Sequence, residues 1–218
     1  MRRENSKYDT VMTPFVGRDF DTARQAAEQF ASDRDLQLIP SFYEHLVRGV
    51  ATYAKELFDT VADLATVYVP VGLGSGASGL IPVRDLLGLT TEIVGVVSSE
   101  ADAVAQSIEC GRAVQTATAK SFADGVAVRV VNADSLAILQ SGLARIVRVT
   151  DDEIADAMRL LYRTTDNVAE GAGAAATAAL KQEQQGQRGN KVAVILTGGN
   201  IDGGLFADVM LGNTPAVL

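Results

Sequence analysis

The residues best placed for chemistry in this sequence are small ones, gathered where apolar runs stop. Val67-Tyr-Val-Pro-Val-Gly-Leu-Gly-Ser-Gly-Ala-Ser-Gly79 passes from a β-branched stretch into a glycine cluster, and a helical pattern follows through Leu80, Val83, Leu86 and Leu87. A strand that ends in glycines at the mouth of a helix builds an anion site. The backbone can approach closely there, and its N–H groups share the positive end of the helix. A second apolar run, Val192 to Leu196, also ends in small polar residues, Thr197-Gly198-Gly199-Asn200. Two such strand ends predict one cofactor held between them, its phosphate at the first and its ring at the second.

The glycine cluster also fits a dinucleotide fingerprint. Gly72 to Ala77 reads as G-x-G-x-x-A and Gly74 to Gly79 as G-x-G-x-x-G. Glu100 follows the next apolar run, Ile93 to Val97, where a ribose would want a carboxylate. An NAD-binding Rossmann domain is therefore one alternative. Pro70 speaks against it, because proline removes a ladder donor from what would be a central strand. That reading also leaves Thr197 to Asn200 without a task.

With 218 residues, 47% hydrophobic and 21% charged, the chain can bury one large domain, or one domain and a small lobe. The net charge of -8, with Lys and Arg scattered, excludes a nucleic-acid surface. Met1 to Thr10 is polar and has no apolar signal core, and no apolar run reaches membrane-spanning length. A cytoplasmic location with no membrane partner is expected. Cys110 and His45 are the only residues of their types, so neither a disulfide within the chain nor a Cys/His zinc site can form. His45 reads as a loop residue before a helix, and Cys110 as a small packing residue.

Stepping outward from these motifs, strand-like runs alternate with helical patterns, which predicts a parallel α/β sheet. Helices are expected over 21–34 and 43–58, and strands over 66–71 and 93–97, with shorter strands near 126–130 and 146–149. Thr150-Asp-Asp-Glu153 is a capping box for the next helix. A helix over 168–181, a polar loop from Gln182 to Asn190 and a strand over 192–197 complete the pattern. The helix over 168–181 is nearly bare of bulk in Glu170-Gly-Ala-Gly-Ala-Ala-Ala176. Glycine is unfavourable inside a helix, so the segment predicts either tight packing on the sheet or close approach to a flat cofactor, with Glu170 directed at it.

Four segments in order resemble the fold-type II pyridoxal-phosphate enzymes, specifically the threonine/serine dehydratases. They are V-P-V-G-L-G-S-G (Val69 to Gly76), S-F-A-D-G (Ser121 to Gly125), V-A-E-G-A-G-A-A-A (Val168 to Ala176) and T-G-G-N-I-D (Thr197 to Asp202). G-R-D-F-D (Gly17 to Asp21) and R-G-V-A-T-Y-A (Arg48 to Ala54) fit the subgroup of hydroxyectoine utilisation. The resemblance implies an α/β fold of the tryptophan-synthase-β-like type, with a large pyridoxal 5'-phosphate domain over 41–218 and a remnant of the small domain over 1–40. It places Gly72, Leu73, Gly74, Ser75 and Gly76 at the phosphate, Thr197 at the pyridine nitrogen, and Glu170 and Asn200 near the cofactor edge. Asp124 and Gly125 fall on the substrate side. The implied reaction is β-elimination of a hydroxy amino acid to a 2-oxo acid and ammonia, in a homo-oligomer.

One part of the family pattern is missing. The Schiff-base lysine of an S-F-K-x-R-G-A motif and the S-x-G-N-H motif are both absent, and Lys7, Lys55, Lys120, Lys181 and Lys191 have no such context. The expectation is an N-terminally truncated ammonia-lyase, with no catalytic lysine and little activity alone. A non-catalytic pyridoxal-phosphate- or phosphate-binding module is the alternative. No metal is expected either. Where relatives such as serine racemase carry an acidic pair, this sequence has Val97 and Ala103.

Overall fold

The computed structural model describes residues 19–216, and the chain divides into two compact units, Met1–Ile39 and Pro40–Leu218. The described part of the first unit is helix α1 (Phe20–Asp33) and a short tail. Asp19 opens the helix, its carboxylate accepting from the Thr22 backbone N–H at 2.8 Å. Lys7, and Gly17 and Arg18 of the G-R-D-F-D segment, lie outside the described residues.

The second unit runs α2 (Glu44–Thr60), β1 (Thr66–Pro70), α3 (Ser75–Leu86), β2 (Glu92–Ser98), α4 (Ala103–Cys110), α5 (Ala133–Gly142) and β3 (Arg145–Val149). It continues with α6 (Asp151–Thr165), α7 (Gly171–Glu183), β4 (Val192–Val194) and α8 (Gly203–Met210). The four strands form one parallel sheet in the order β3-β2-β1-β4. Both faces are covered, so the interior strands β1 and β2 are buried along nearly their whole length, as parallel sheets require, while the edge strand β3 carries Arg145 and Arg148. Val67, Val69, Val71, Ile93 and Val97 face a core shared with α2, α3, α4 and α5. Tyr68, Val94 and Val96 face the other core, filled by α6 and α7.

β1 is an interior strand, and Pro70 sits at its C-terminal end. The short neighbouring strand is what makes a proline tolerable at this interior position. β4 pairs with β1 only from Thr66 to Tyr68, and the last bond between them runs from the Ile195 N–H to the Tyr68 carbonyl at 2.9 Å. Pro70 therefore lacks its donor where no strand remains to receive it. Beyond that point the two chains part, and the gap becomes the mouth of a cleft.

Several local expectations need correction. Residues 126–130 do not form a strand. A 3-10 turn covers Asp124–Val126, and only one isolated bridge, Gln115 to Val130, follows. The segment is held by short-range backbone bonds, such as Ala127 N–H to the Asp124 carbonyl at 3.0 Å and Val128 N–H to the Val126 carbonyl at 3.1 Å, instead of a ladder, which its apolar alternation did not reveal. The last strand ends at Val194, short of 197, because it peels away from β1. His45 stands in the first turn of α2, not in a loop, and its ring meets Tyr43 edge-on at 5.1 Å. Cys110 is exposed, not packed, as the last residue of α4.

Candidate cofactor site

The glycine loop turns from β1 into α3. Gly74 is the N-cap of α3 with φ +91°, and no side chain caps the helix. The first bond of the helix runs from the Ser78 N–H to the Gly74 carbonyl at 2.8 Å. The N–H groups of Ser75, Gly76 and Ala77 precede it and open at the positive helix end. Ser75 and Gly76 border a cleft of about 460 Å³ that is also lined by Tyr53, Pro70, Gly72 to Gly74, Gly125, Val126, Glu170, Ala172 and Ile195 to Thr197, and Ala77 lies buried just behind them. All five predicted phosphate-loop residues, together with Gly125, Glu170 and Thr197, thus border one space.

Glu170 stands at the N-terminus of α7. Its backbone N–H donates to the Gly198 carbonyl at 3.1 Å, tying α7 to the Thr197–Asn200 loop. Burial, and then the charge of Asp124, raise the Glu170 pKa above the usual glutamate range, while the Asn200 backbone N–H works against that shift. Asn200 reaches the site through this amide, and its side chain does not line the cleft. Asp124 is exposed, with its carboxylate accepting from the Gly125 N–H at 2.8 Å. It acts on the cleft through its charge, while Gly125 forms part of the wall.

The bare stretch of α7 serves chain packing. A Cβ on Gly171 would lie 2.9 Å from Ala123, and one on Gly173 would lie 2.3 Å from the Gly198 carbonyl oxygen. These glycines let both flanking loops close on the helix end, and Ala172 between them lines the cleft. The tight packing expected of the segment is thus present, at its glycines against two loops and not against the sheet.

Two contributors were not visible in the sequence. Asp151 accepts from Ser121 Oγ at 2.6 Å, the Phe122 N–H at 3.1 Å and Ser98 Oγ at 3.2 Å, so it anchors the turn that presents Gly125. Its place inside the capping box was the only local signal. Tyr53 belongs to the R-G-V-A-T-Y-A segment, which assigned it no role, and it lines the cleft. None of Lys55, Lys120, Lys181 or Lys191 lines it. Lys55 pairs with Asp59 at 2.5 Å and Lys191 donates to the Ala62 carbonyl at 2.9 Å. Among the described residues no cluster of His, Cys, Asp or Glu could hold a metal ion, and Val97 and Ala103 are buried.

The donor set fits pyridoxal phosphate. Uncapped amides at a helix N-terminus suit its dianionic phosphate, and the cleft runs on to the Thr197 hydroxyl and the Glu170 carboxyl. Comparison with known proteins agrees. Residues 8–198 match the sequence profile of the family described as pyridoxal-phosphate dependent enzyme. A Sinorhizobium fredii protein assigned as a threonine dehydratase is 33% identical over 200 residues, which cover 90% of this chain and 60% of that protein. The L-threonine ammonia-lyase of Thermotoga maritima is 30% identical over 187 residues, covering 85% and 46%. The processed threonine deaminase isoform 2 of Solanum lycopersicum superposes with a TM-score of 0.84 at 28% identity, covering 91% of this chain and 55% of that one. The chain thus spans about half to three-fifths of the length of these relatives. These likenesses do not favour the dinucleotide alternative, and the fold they share with this α/β unit is the fold-type II one. A likeness running from residue 8 through the glycine loop to Gly198 leaves one conclusion, that the chain belongs to the pyridoxal-phosphate dependent enzyme family.

Proposed function

We propose that this chain holds pyridoxal phosphate in the cleft and forms the cofactor-binding part of a threonine/serine ammonia-lyase of the hydroxyectoine-utilisation kind. We also propose that its 218 residues alone do not turn substrate over. The supporting observation is the meeting, across one cleft, of the uncapped α3 N-terminus with Glu170 and Thr197. Relatives named as threonine ammonia-lyases support the substrate class.

Bound in such a site, the cofactor supplies an electron sink for bonds at an amino acid's α-carbon. The chain's own residues bind and orient. The amides of Gly72 to Gly76, with that of Ala77 behind them in the first turn of α3, would take the phosphate, and the Ser75 hydroxyl would add a donor. The Thr197 hydroxyl would serve the ring nitrogen. It cannot keep that nitrogen protonated as a carboxylate would, and this milder demand suits β-elimination. Glu170 keeps a proton on its carboxyl to higher pH than an ordinary glutamate, at the edge where a leaving hydroxyl would need one. The Asp124-Gly125 turn bounds the substrate side. A base at the substrate α-carbon is worth roughly 10²–10⁴-fold, and no described lysine is placed to supply it.

Borohydride reduction in the presence of pyridoxal phosphate, followed by peptide mapping and a 2-oxobutanoate assay with threonine, tests both parts. Saturable cofactor binding without a pyridoxyl-lysine at the site and without turnover is expected. A stoichiometric pyridoxyl-lysine with turnover above background would overturn the inactivity. No saturable binding at all would overturn the cofactor placement. We further propose a homo-oligomer, for which the exposed Leu86 and Leu211 offer apolar surface; sedimentation equilibrium showing only monomer would reject it. No helix among the described residues is long and apolar enough to cross a membrane.

A further inference from the structure

Tyr53 belongs to α2, yet its hydroxyl donates to the Gly76 carbonyl of the glycine loop at 2.9 Å. The reach is possible because α2 and α3 touch nearly backbone to backbone. A Cβ on Gly79 would lie 3.1 Å from the Ala51 Cα. The Gly76 carbonyl and the Ala77 N–H belong to one planar peptide unit and point in opposite directions. A donor that fixes the carbonyl therefore fixes that N–H, one of the three in the first turn of α3 that no side chain caps and that precede the first bond of the helix. It also polarises the unit, which strengthens the N–H as a donor. Burial pushes the Tyr53 pKa up, so the hydroxyl remains neutral and no phenolate charge opposes an anion beside it.

We infer that Tyr53 is a positioning residue for the cofactor phosphate. Through the Gly76 carbonyl it aligns the Ala77 N–H, and so gives the glycine loop part of its preference for a phosphorylated ligand over its unphosphorylated counterpart. The inference rests on the cofactor placement proposed above. The role differs from that of the loop residues, because Tyr53 acts from a separate helix and through a peptide group.

Dissociation constants of pyridoxal phosphate and pyridoxal, measured on the full chain and on Tyr53→Phe, test it. The variant is expected to weaken pyridoxal phosphate by about three- to tenfold, the scale of one hydrogen bond, and to leave pyridoxal unchanged. Tyr53→Leu, which also removes the ring, is expected to weaken the phosphorylated ligand no further. The rise in melting temperature caused by inorganic phosphate gives a second measure. It compares each protein with itself, and it is expected to shrink in both variants. Unchanged affinity for pyridoxal phosphate in Tyr53→Phe, or equal weakening of both ligands, would overturn the role of Tyr53. Wild-type protein that binds pyridoxal as tightly as pyridoxal phosphate would instead overturn the cofactor placement, and the inference with it.

Discussion

Gly74 carries two constraints at once. Its φ of +91° lies in the left-handed region, and a Cβ there would lie 2.2 Å from Ser135 Oγ. Gly74→Val is therefore expected to weaken inorganic phosphate binding at least about tenfold, because relief of either conflict moves the turn that aims the amides. Isothermal titration checks it, and unchanged affinity would remove the loop from the site. Glu170 sets a different test. Its folded pKa is raised by burial and by Asp124, so its contribution to stability is full below the ordinary glutamate value and is lost as pH rises through the raised one. Glu170→Gln should match wild type in melting temperature at low pH and gain on it through that window. A difference that does not vary with pH would contradict the assignment.

At the scale of elements, α6 begins with two neighbouring residues that do different work. Thr150 and Glu153 complete a capping box, with the Glu153 N–H reaching Thr150 Oγ1 at 3.2 Å and the Thr150 N–H reaching Glu153 Oε2 at 2.7 Å. Thr150→Ala should cost about 1 kcal/mol of stability, as lost caps do, and leave cofactor affinity alone. Asp151 instead ties α6 and β2 to the turn before Gly125. Asp151→Ala leaves the Ser121 and Phe122 donors unpaired at a cost of about 1–3 kcal/mol, and it frees one wall of the cleft. Denaturant melts and pyridoxal phosphate titrations of both variants should separate the two roles. Equal affinities in the two would show that the turn does not depend on Asp151.

Across the whole molecule, the end of the sheet opposite the cleft is held by a polar knot. The Tyr68 hydroxyl and the Arg145 guanidinium both bond Glu183 near the end of α7, and Arg145 also pairs with Glu92 at 2.7 Å. One sheet face, one helix end and an edge strand meet there. Arg145 lowers the Glu183 pKa below the usual 4.5. That stabilisation is present above 4.5 and is lost as pH falls through the lowered value. Melting temperature should therefore fall on acidification below about 4.5, and less so in Glu183→Gln, which has already lost the interaction. Parallel acid melts of the two proteins check this, and identical slopes would reject the knot as a source of acid sensitivity.

The sequence by itself determined what depends on neighbours along the chain. A glycine cluster after a β-branched run makes a strand, a turn and an uncapped helix start, and Thr150 to Glu153 makes a cap, because each needs only local φ/ψ and local bonds. The order of four motifs, from Val69 to Asp202, carried the family and with it the cofactor. Tertiary structure decided the rest. Pro70 is harmless in an interior strand only because β4 stops at Val194, a fact of register between distant segments. The segment read as a strand at 126–130 opens instead in a 3-10 turn and reaches only an isolated bridge to Gln115, a partner outside the sheet. Tyr53 entered the site from α2, where nothing in its own segment marks it for the glycine loop. Side chains that work across long loops leave no local pattern, and only the packed fold brings them to the atoms they serve.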